Sequence, residues 1–153
     1  MNTSEVIIEY LARAGIGHLF GYPGDPTVEF LEAARRAELQ FVLGTREGTA
    51  GLMAEAYGQL MGRPGVCVST LGPGSTNLVN AVASAWLDRV PMIAISGQIE
   101  TKREPTFTHQ VIDHQTLFKP IAKWATAVQP HAVATIMRRA LRTAMAERPG
   151  PVH

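Results

Sequence analysis

Four short apolar runs limit what this chain can fold into more than any other feature. They are "HLFGY" at 18–22, "QFVLG" at 40–44, "GVCVST" at 65–70 and "PMIAIS" at 91–96. Each is too short for a helix, and each is apolar almost throughout. Runs of this kind suit strands buried on both faces rather than strands with one wet side. The segments between them carry helical spacing. Strand and helix therefore alternate, which predicts an α/β fold: a three-layer, doubly wound, mainly parallel sheet with helices on both faces.

The helices can be placed from their ends. Thr3 or Ser4 is positioned to cap a first helix with apolar positions at Val6, Ile7, Tyr10, Leu11 and Ala14, and Gly15 to end it. A second helix begins near Pro26, after the turn "PGDP", and runs to about Ala37. A third covers Glu47 to about Met61. A fourth follows "LGPGSTN" and stops near Asp88, and a fifth spans 131–146. Residues 97–115 show neither periodicity. The closing "ERPGPVH" reads as a helix stop and the start of another strand, which either finishes the sheet or leads into a longer protein.

With 153 residues, 46% of them apolar and 18% charged, the chain is long enough for one domain with a core of its own. Lys and Arg number 14 against 13 acids, a formal charge of +1, and no basic stripe forms, so nucleic acid is not an expected partner. No stretch reaches the length of a membrane span. The first helix carries acids early, unlike a secretory signal. A cytoplasmic protein is expected. Cys67, the single cysteine, lies in an apolar run and reads as a small core residue.

In a parallel sheet of this kind, ligands bind at the carboxyl ends of the strands, where strand order switches. "YPGDP", "GTREG", "TLGPGSTN" and "SGQ" all fall there. Gly72 and Gly74 allow a tight bend, and Ser75, Thr76 or Asn77 can cap the fourth helix. That motif lacks the Lys-Ser/Thr of a P-loop and is not GxGxxG, so alone it reads as a turn. Glu47 opens the third helix, where an acid gains about 0.3–1 kcal/mol from the helix dipole. The residues that follow it, Ala50, Gly51, Met53, Ala54 and Ala56, imply close packing on both sides of that helix. An acid entering such a region calls for a specific partner. Glu55 reads either as a solvated acid or as a structural hydrogen-bonder. The long 97–115 segment holds Gln98, His109, Gln110, Asp113, His114 and Gln115 and has the length of a functional loop. His109 and His114 do not stand at metal-ligand spacing with other ligands. His18, on an apolar strand, reads as a hydrogen-bonded structural histidine.

Taken together, "GYPGDP" (21–26), "REGTAGLMAEAYG" (46–58), "GVCVSTLGPGSTNLVNAVASAWLDRVPMIAISGQ" (65–98), "HQVIDHQTLFKPIAKW" (109–124) and "RPGPVH" (148–153) resemble the N-terminal pyrimidine-binding domain of thiamine-diphosphate-dependent enzymes, in the acetolactate synthase-like group. The resemblance covers residues 1–153 as one flavodoxin-like domain. It implies that Glu47 is the cofactor-activating glutamate, which hydrogen-bonds N1′ of the aminopyrimidine and promotes loss of the C2 proton through the imino tautomer. It implies that Pro23 and Gly24 line the active site, that Gly72, Pro73 and Asn77 pack beside the pyrimidine, and that Gln110 faces the reaction centre. Arg46 stands where the family often has histidine, Gly48 where acetolactate synthases carry glutamine, and "YPGDP" replaces "YPGG"; these changes bear on the substrate.

The resemblance also implies parts that this chain does not carry. The family holds the diphosphate through Mg²⁺ with a Gly-Asp-Gly and a downstream Asn, and here Gly24–Asp25 continues to Pro26. A middle domain binds FAD or a nucleotide in some relatives. The expectation is a fragment, inactive alone, of a 2-oxo acid decarboxylase and carboligase. Its partner would be the diphosphate-binding domain of a second subunit, in a homodimer or dimer of dimers. The alternatives are a natural small subunit of a split enzyme, as in sulfopyruvate decarboxylase, and a non-catalytic α/β assembly module.

Overall fold

The computed structural model describes residues 1–100, 102, 103, 106 and 108–153. Five strands, β1 (His18–Gly21), β2 (Gln40–Leu43), β3 (Gly65–Ser69), β4 (Met92–Ser96) and β5 (Pro151–Val152), form one sheet in the order β2-β1-β3-β4-β5. Every pairing is parallel, with Phe20 opposite Cys67, Val68 opposite Ile95 and Ile93 opposite Val152 among the registers. The order switches between β1 and β3, and sheets of this kind bind ligands at the carboxyl ends of the strands beside such a switch. The expected α/β class and parallel sheet are observed, but β2, at the sheet edge, is not buried: Gln40 and Leu43 are exposed, and Phe41 and Val42 are half-buried. All five residues of β3 are buried.

Helices α1 (Thr3–Arg13), α2 (Val28–Arg36) and α6 (Val133–Met145) cover one face. Helices α3 (Glu47–Met61) and α4 (Pro73–Asp88), with the short α5 (His114–Phe118), cover the other. The period-two alternation of the strands sorts the core accordingly. Leu19, Val66, Val68 and Ile93 meet Ile8, Leu11, Met137 and Ala140 on the first face. Phe20, Cys67, Met92 and Ala94 meet Ala50, Ala54, Leu78, Ala81 and Ala85 on the second. The second core is built of smaller residues, so α3 and α4 lie close. A Cβ on Gly51 would come within 2.5 Å of the Ala81 Cβ and 2.8 Å of Leu78 Cδ1.

Several ends differ from the expectation, each for a physical reason. Asn2, not Thr3 or Ser4, caps α1: its Oδ1 accepts from Glu5 N at 2.9 Å, and Glu5 Oε2 accepts from Asn2 N at 2.9 Å. A reciprocal box needs an acid three residues beyond the cap, and only Asn2 has one. Ile8 takes the core position assigned to Ala14, which is exposed. Pro26 lies in a 3-10 turn, Asp25–Thr27, ahead of α2. Ser75, Thr76 and Asn77 do not cap α4; Gly72 is its N-cap, with Pro73 in the first helical position. Residues 97–115 end in a helix start that periodicity could not show: Asp113 Oδ1 accepts from Thr116 N at 3.0 Å and opens α5. Residues 101, 104, 105 and 107 of that segment lie outside the described residues.

The packing expected on both sides of α3 is seen on one. Ala50, Gly51, Ala54 and Gly58 are buried, but Leu52, Met53 and Leu60 are exposed, Leu60 by 85%. At the other sheet edge, β5 is shielded by residues 123–126. Lys123 N donates to Pro151 O at 2.8 Å, His153 N to Trp124 O at 2.9 Å and Thr126 N to His153 O at 2.9 Å.

The closeness of α3 to α4 is testable. Gly51→Val should lower the unfolding free energy by about 1–3 kcal/mol, since the two helices must part to admit it. Gly17→Ala, where no atom lies within 4 Å of the added carbon, should change it by less than about 0.5 kcal/mol. Urea denaturation of both variants makes the comparison.

Candidate functional site

The connections after β1, β2 and β3 meet at the switch point. Glu47 opens α3 immediately after Arg46, its extended N-cap, and is 8% exposed. Its carboxylate projects across to the start of α4. Glu47 Oε2 accepts from Asn77 Nδ2 at 3.2 Å, and Oε1 accepts no hydrogen bond among the described residues. Gly74 leaves room for that oxygen, because a Cβ there would stand 3.0 Å from Oε1 and 2.6 Å from Thr70 Cγ2. Thr70 in turn fills the space beside Gly24, where a Cβ would meet its Cβ and Oγ1 at 2.6 Å. Thus Gly24, Thr70, Gly74, Glu47 and Asn77 form one contiguous cluster.

Gly72 joins the 110–114 segment to it. With φ 54° and ψ −113°, Gly72 occupies backbone space open to glycine and costly for other residues. A side chain there would fall on the carbonyl oxygen of Gln110. Gln110 itself has φ 60° and is exposed. Pro23 and Pro73 flank Gly24 and Gly72 and are exposed. The site residues singled out from sequence therefore lie along one edge, with Glu47 and Gly72 buried, Gly24 half-buried, and Pro23, Pro73, Asn77 and Gln110 exposed. Thr70, Ser96 and His153 were not singled out. Thr70 and Ser96 carried one usable signal, small polar residues that end apolar strands.

The hydroxyls of the α4 start are spent locally. Ser75 Oγ donates to Thr70 O at 2.9 Å and Thr76 Oγ1 to Pro73 O at 2.9 Å. Asn77, freed from capping, holds Glu47. Glu55 is the structural hydrogen-bonder of the two alternatives: Ser84 Oγ donates to Glu55 Oε1 at 2.9 Å between α3 and α4. Burial raises the Glu55 pKa, and the Ser84 hydrogen bond works against that rise. His18 Nδ1 meets Tyr57 Oη at 3.2 Å, and Cys67 is fully buried, its thiol pushed up to about 12.

Beside the Gly72 turn lies a second polar group. Gly72 N donates to His114 Nε2 at 3.2 Å, His114 Nδ1 meets Ser96 Oγ at 3.1 Å, and Ser96 Oγ meets His153 Nε2 at 2.7 Å. Phe118 stacks on the His153 ring at 4.1 Å. Burial, and then the nearby His114, lower the His153 pKa to about 3, and burial lowers that of His114. These groups border a cavity of about 840 Å³ whose wall includes Phe30, Ile95, Trp124 and Met137. Among the described residues, no three His, Cys, Asp or Glu side chains converge as metal ligands, and no helix is long and apolar enough to cross a membrane.

A 2-1-3-4-5 parallel sheet with a buried carboxyl group at its switch point defines an α/β ligand-binding domain. Its sequence assigns the ligand class: residues 1–117 match the family described as thiamine pyrophosphate enzyme, N-terminal TPP binding domain, and the chain belongs to that family. Among full-length proteins, it is 39% identical over its whole length to the "Probable acetolactate synthase large subunit" of Methanocaldococcus jannaschii, covering 26% of that protein. It is 38% identical to the acetolactate synthase of Arthrospira platensis, with 95% of this chain and 26% of that protein aligned. It is 36% identical to chloroplastic acetolactate synthase 2 of Nicotiana tabacum, with 97% of this chain and 23% of that protein aligned. The chain thus spans about a quarter of the length of these relatives.

The buried imidazole of His153 predicts a pH dependence of stability. Its folded-state pKa of about 3 lies below the ordinary value of 6.5, so between these limits the unfolded chain binds a proton that the folded chain does not. Stability should therefore fall as pH drops through that window, by up to about 1.4 kcal/mol per unit from this group. His153→Gln should flatten the slope between pH 6.5 and 5.5, measured by urea unfolding at stepped pH.

Proposed function

We propose that residues 1–153 form the aminopyrimidine-binding domain of a longer thiamine-diphosphate enzyme of acetolactate synthase type, which decarboxylates a small 2-oxo acid and carries out a carboligation. The observation that supports this most is the state of Glu47. One carboxylate oxygen is held by Asn77, the other accepts no hydrogen bond, and a glycine leaves space beside it. A carboxyl group so placed can share a proton with a weakly basic ring nitrogen at Oε1, while Asn77 keeps it from rotating away. The residues fit the cofactor's pyrimidine for that reason. Pro23, Gly24, Gly72 and Pro73 would border the ring, and Gln110, exposed at the outer edge, would meet the substrate. Thiamine diphosphate, when bound, supplies the carbanion-stabilising chemistry.

The diphosphate and Mg²⁺ would be held by a domain outside this chain, which contains no Gly-Asp-Gly. FAD, where used, would bind in a separate middle domain. The exposed Leu52, Met53 and Leu60 of α3 and the exposed Trp86 and Leu87 of α4 give that domain, from a second subunit, an apolar surface to cover. A homodimer or dimer of dimers satisfies this arrangement, and the isolated chain is then inactive.

In the assembled enzyme, Glu47→Gln should slow hydrogen–deuterium exchange at C2 of thiamine diphosphate by about 10²–10⁴-fold. Quenched-flow exchange followed by proton NMR measures it. Exchange at the unaltered rate would remove Glu47 from this role.

A further inference from the structure

We propose that His114 is a positioning residue for the Gly72–Pro73 turn, locked as a hydrogen-bond acceptor by Ser96 and His153. A backbone N–H can only donate, so the Gly72 N–H at 3.2 Å requires a lone pair on His114 Nε2. A neutral imidazole with its lone pair there carries its proton on Nδ1. That N–H donates to Ser96 Oγ at 3.1 Å, and the single hydroxyl proton of Ser96 is left for His153 Nε2 at 2.7 Å. The directions of both bonds at His114 are set by the Gly72 N–H.

The opposite polarity is chemically complete but fails at one end. If His153 donated from Nε2 and Ser96 in turn donated to His114 Nδ1, His114 would carry its proton on Nε2. Two N–H groups would then face each other at Gly72. The Gly72 N–H excludes that polarity whichever ring nitrogen of His153 carries the proton. The His153 ring is packed flat on Phe118, with 16° between the planes, and its Nδ1 is buried without a partner among the described residues. Burial lowers its pKa to about 3, and the neutral ring accepts from Ser96 when its lone pair is on Nε2. The unpartnered Nδ1–H is the cost of that arrangement.

The positions of the members give the relay its purpose. Ser96 ends β4, His153 follows β5, His114 opens α5 and Gly72 caps α4. Gly72 fixes where Gly74 and Asn77 begin, and Asn77 holds Glu47. His114 thus supports the one turn that places the partner of the buried acid. This inference rests on the proposed cofactor reading only in its last step.

Two variants separate positioning from mere folding. In His114→Gln the amide oxygen can reach the place of Nε2 and accept from Gly72, while the link to Ser96 is lost. In His114→Asn the amide can reach the place of Nδ1 and serve Ser96, while Gly72 loses its acceptor. In the 15N-labelled chain, His114 should show the Nδ1–H tautomer. The Gly72 amide should exchange about tenfold faster in the Asn variant and near the parent rate in the Gln variant. In the assembled enzyme, thiamine diphosphate affinity should fall about tenfold for Asn and recover for Gln. An Nε2–H tautomer, or equal amide exchange in both variants, overturns the proposal whatever Glu47→Gln shows. Parent-like cofactor affinity in the Asn variant, with its Gly72 amide deprotected, overturns the link to the site. An unaltered C2 exchange in Glu47→Gln instead overturns the cofactor reading and leaves the tautomer and amide results standing.

Discussion

The hydrogen bond from Asn77 to Glu47 is the constraint on which the strand-end architecture turns. Asparagine at the start of a helix is usually worth about 1 kcal/mol as a cap. Here it stands inside the first turns of α4 and gives its amide to an acid on another helix. The start of α4 is left to a glycine with no side chain to offer. Pro73 supplies a preformed φ and has no N–H to satisfy, and the Gly72 N–H is taken up by His114. Local helix stability has been exchanged for a fixed carboxylate. Such a substitution of roles is what a binding edge requires and what a purely structural turn would not need.

The asymmetry of the two cores follows from the same demand. Glu47 and Asn77 lie on different helices, so the helices must be close for their side chains to meet. The small residues of the second core, with Gly51 against Ala81, permit that approach. A second polar link, Ser84 to Glu55, joins the same two helices two turns further along. Glu55 is buried and its pKa is raised by desolvation, yet it has a hydroxyl donor, which limits the cost of its burial. The other face of α3 keeps the larger apolar side chains of Leu52, Met53 and Leu60 exposed among the described residues.

Strand positions were legible because period-two burial on both faces leaves an unmistakable apolar run. Helices α3 and α4 were legible for a different reason: Glu47 and Pro73 are strong start signals, and the residues between start and stop favour helix. What sequence could not show was where polar side chains spend their hydrogen bonds. Ser75, Thr76 and Asn77 are all acceptable caps by type, and only the geometry reveals that Glu47, Thr70 and Pro73 take them. The capping box at Asn2 and Glu5 was visible as a spacing, but Thr3 and Ser4 competed with it on residue type. Helix α5 is too short for any periodicity to register. His153 carried no local signal, since its partners, Ser96 and Phe118, are 57 and 35 residues away. A contact of that range exists only once β4 and β5 are paired.

The chemical character of the strand ends follows from these placements. Glu47 is the buried carboxyl group of the strand-end cluster, and its one hydrogen-bond partner there is a neutral amide. The buried imidazoles nearby are held uncharged by desolvation, and Asp113, which interacts with His114, is exposed. Among the described residues no arginine or lysine forms an ion pair with Glu47, although Arg46 is its chain neighbour and is exposed. A fixed cation would commit a buried carboxylate to its ionised form. Glu47 instead meets one neutral donor among the described residues, the Asn77 amide. A neighbourhood of that kind is both polar and uncharged, and an amide or a neutral imidazole meets both conditions while an arginine or a lysine meets only the first.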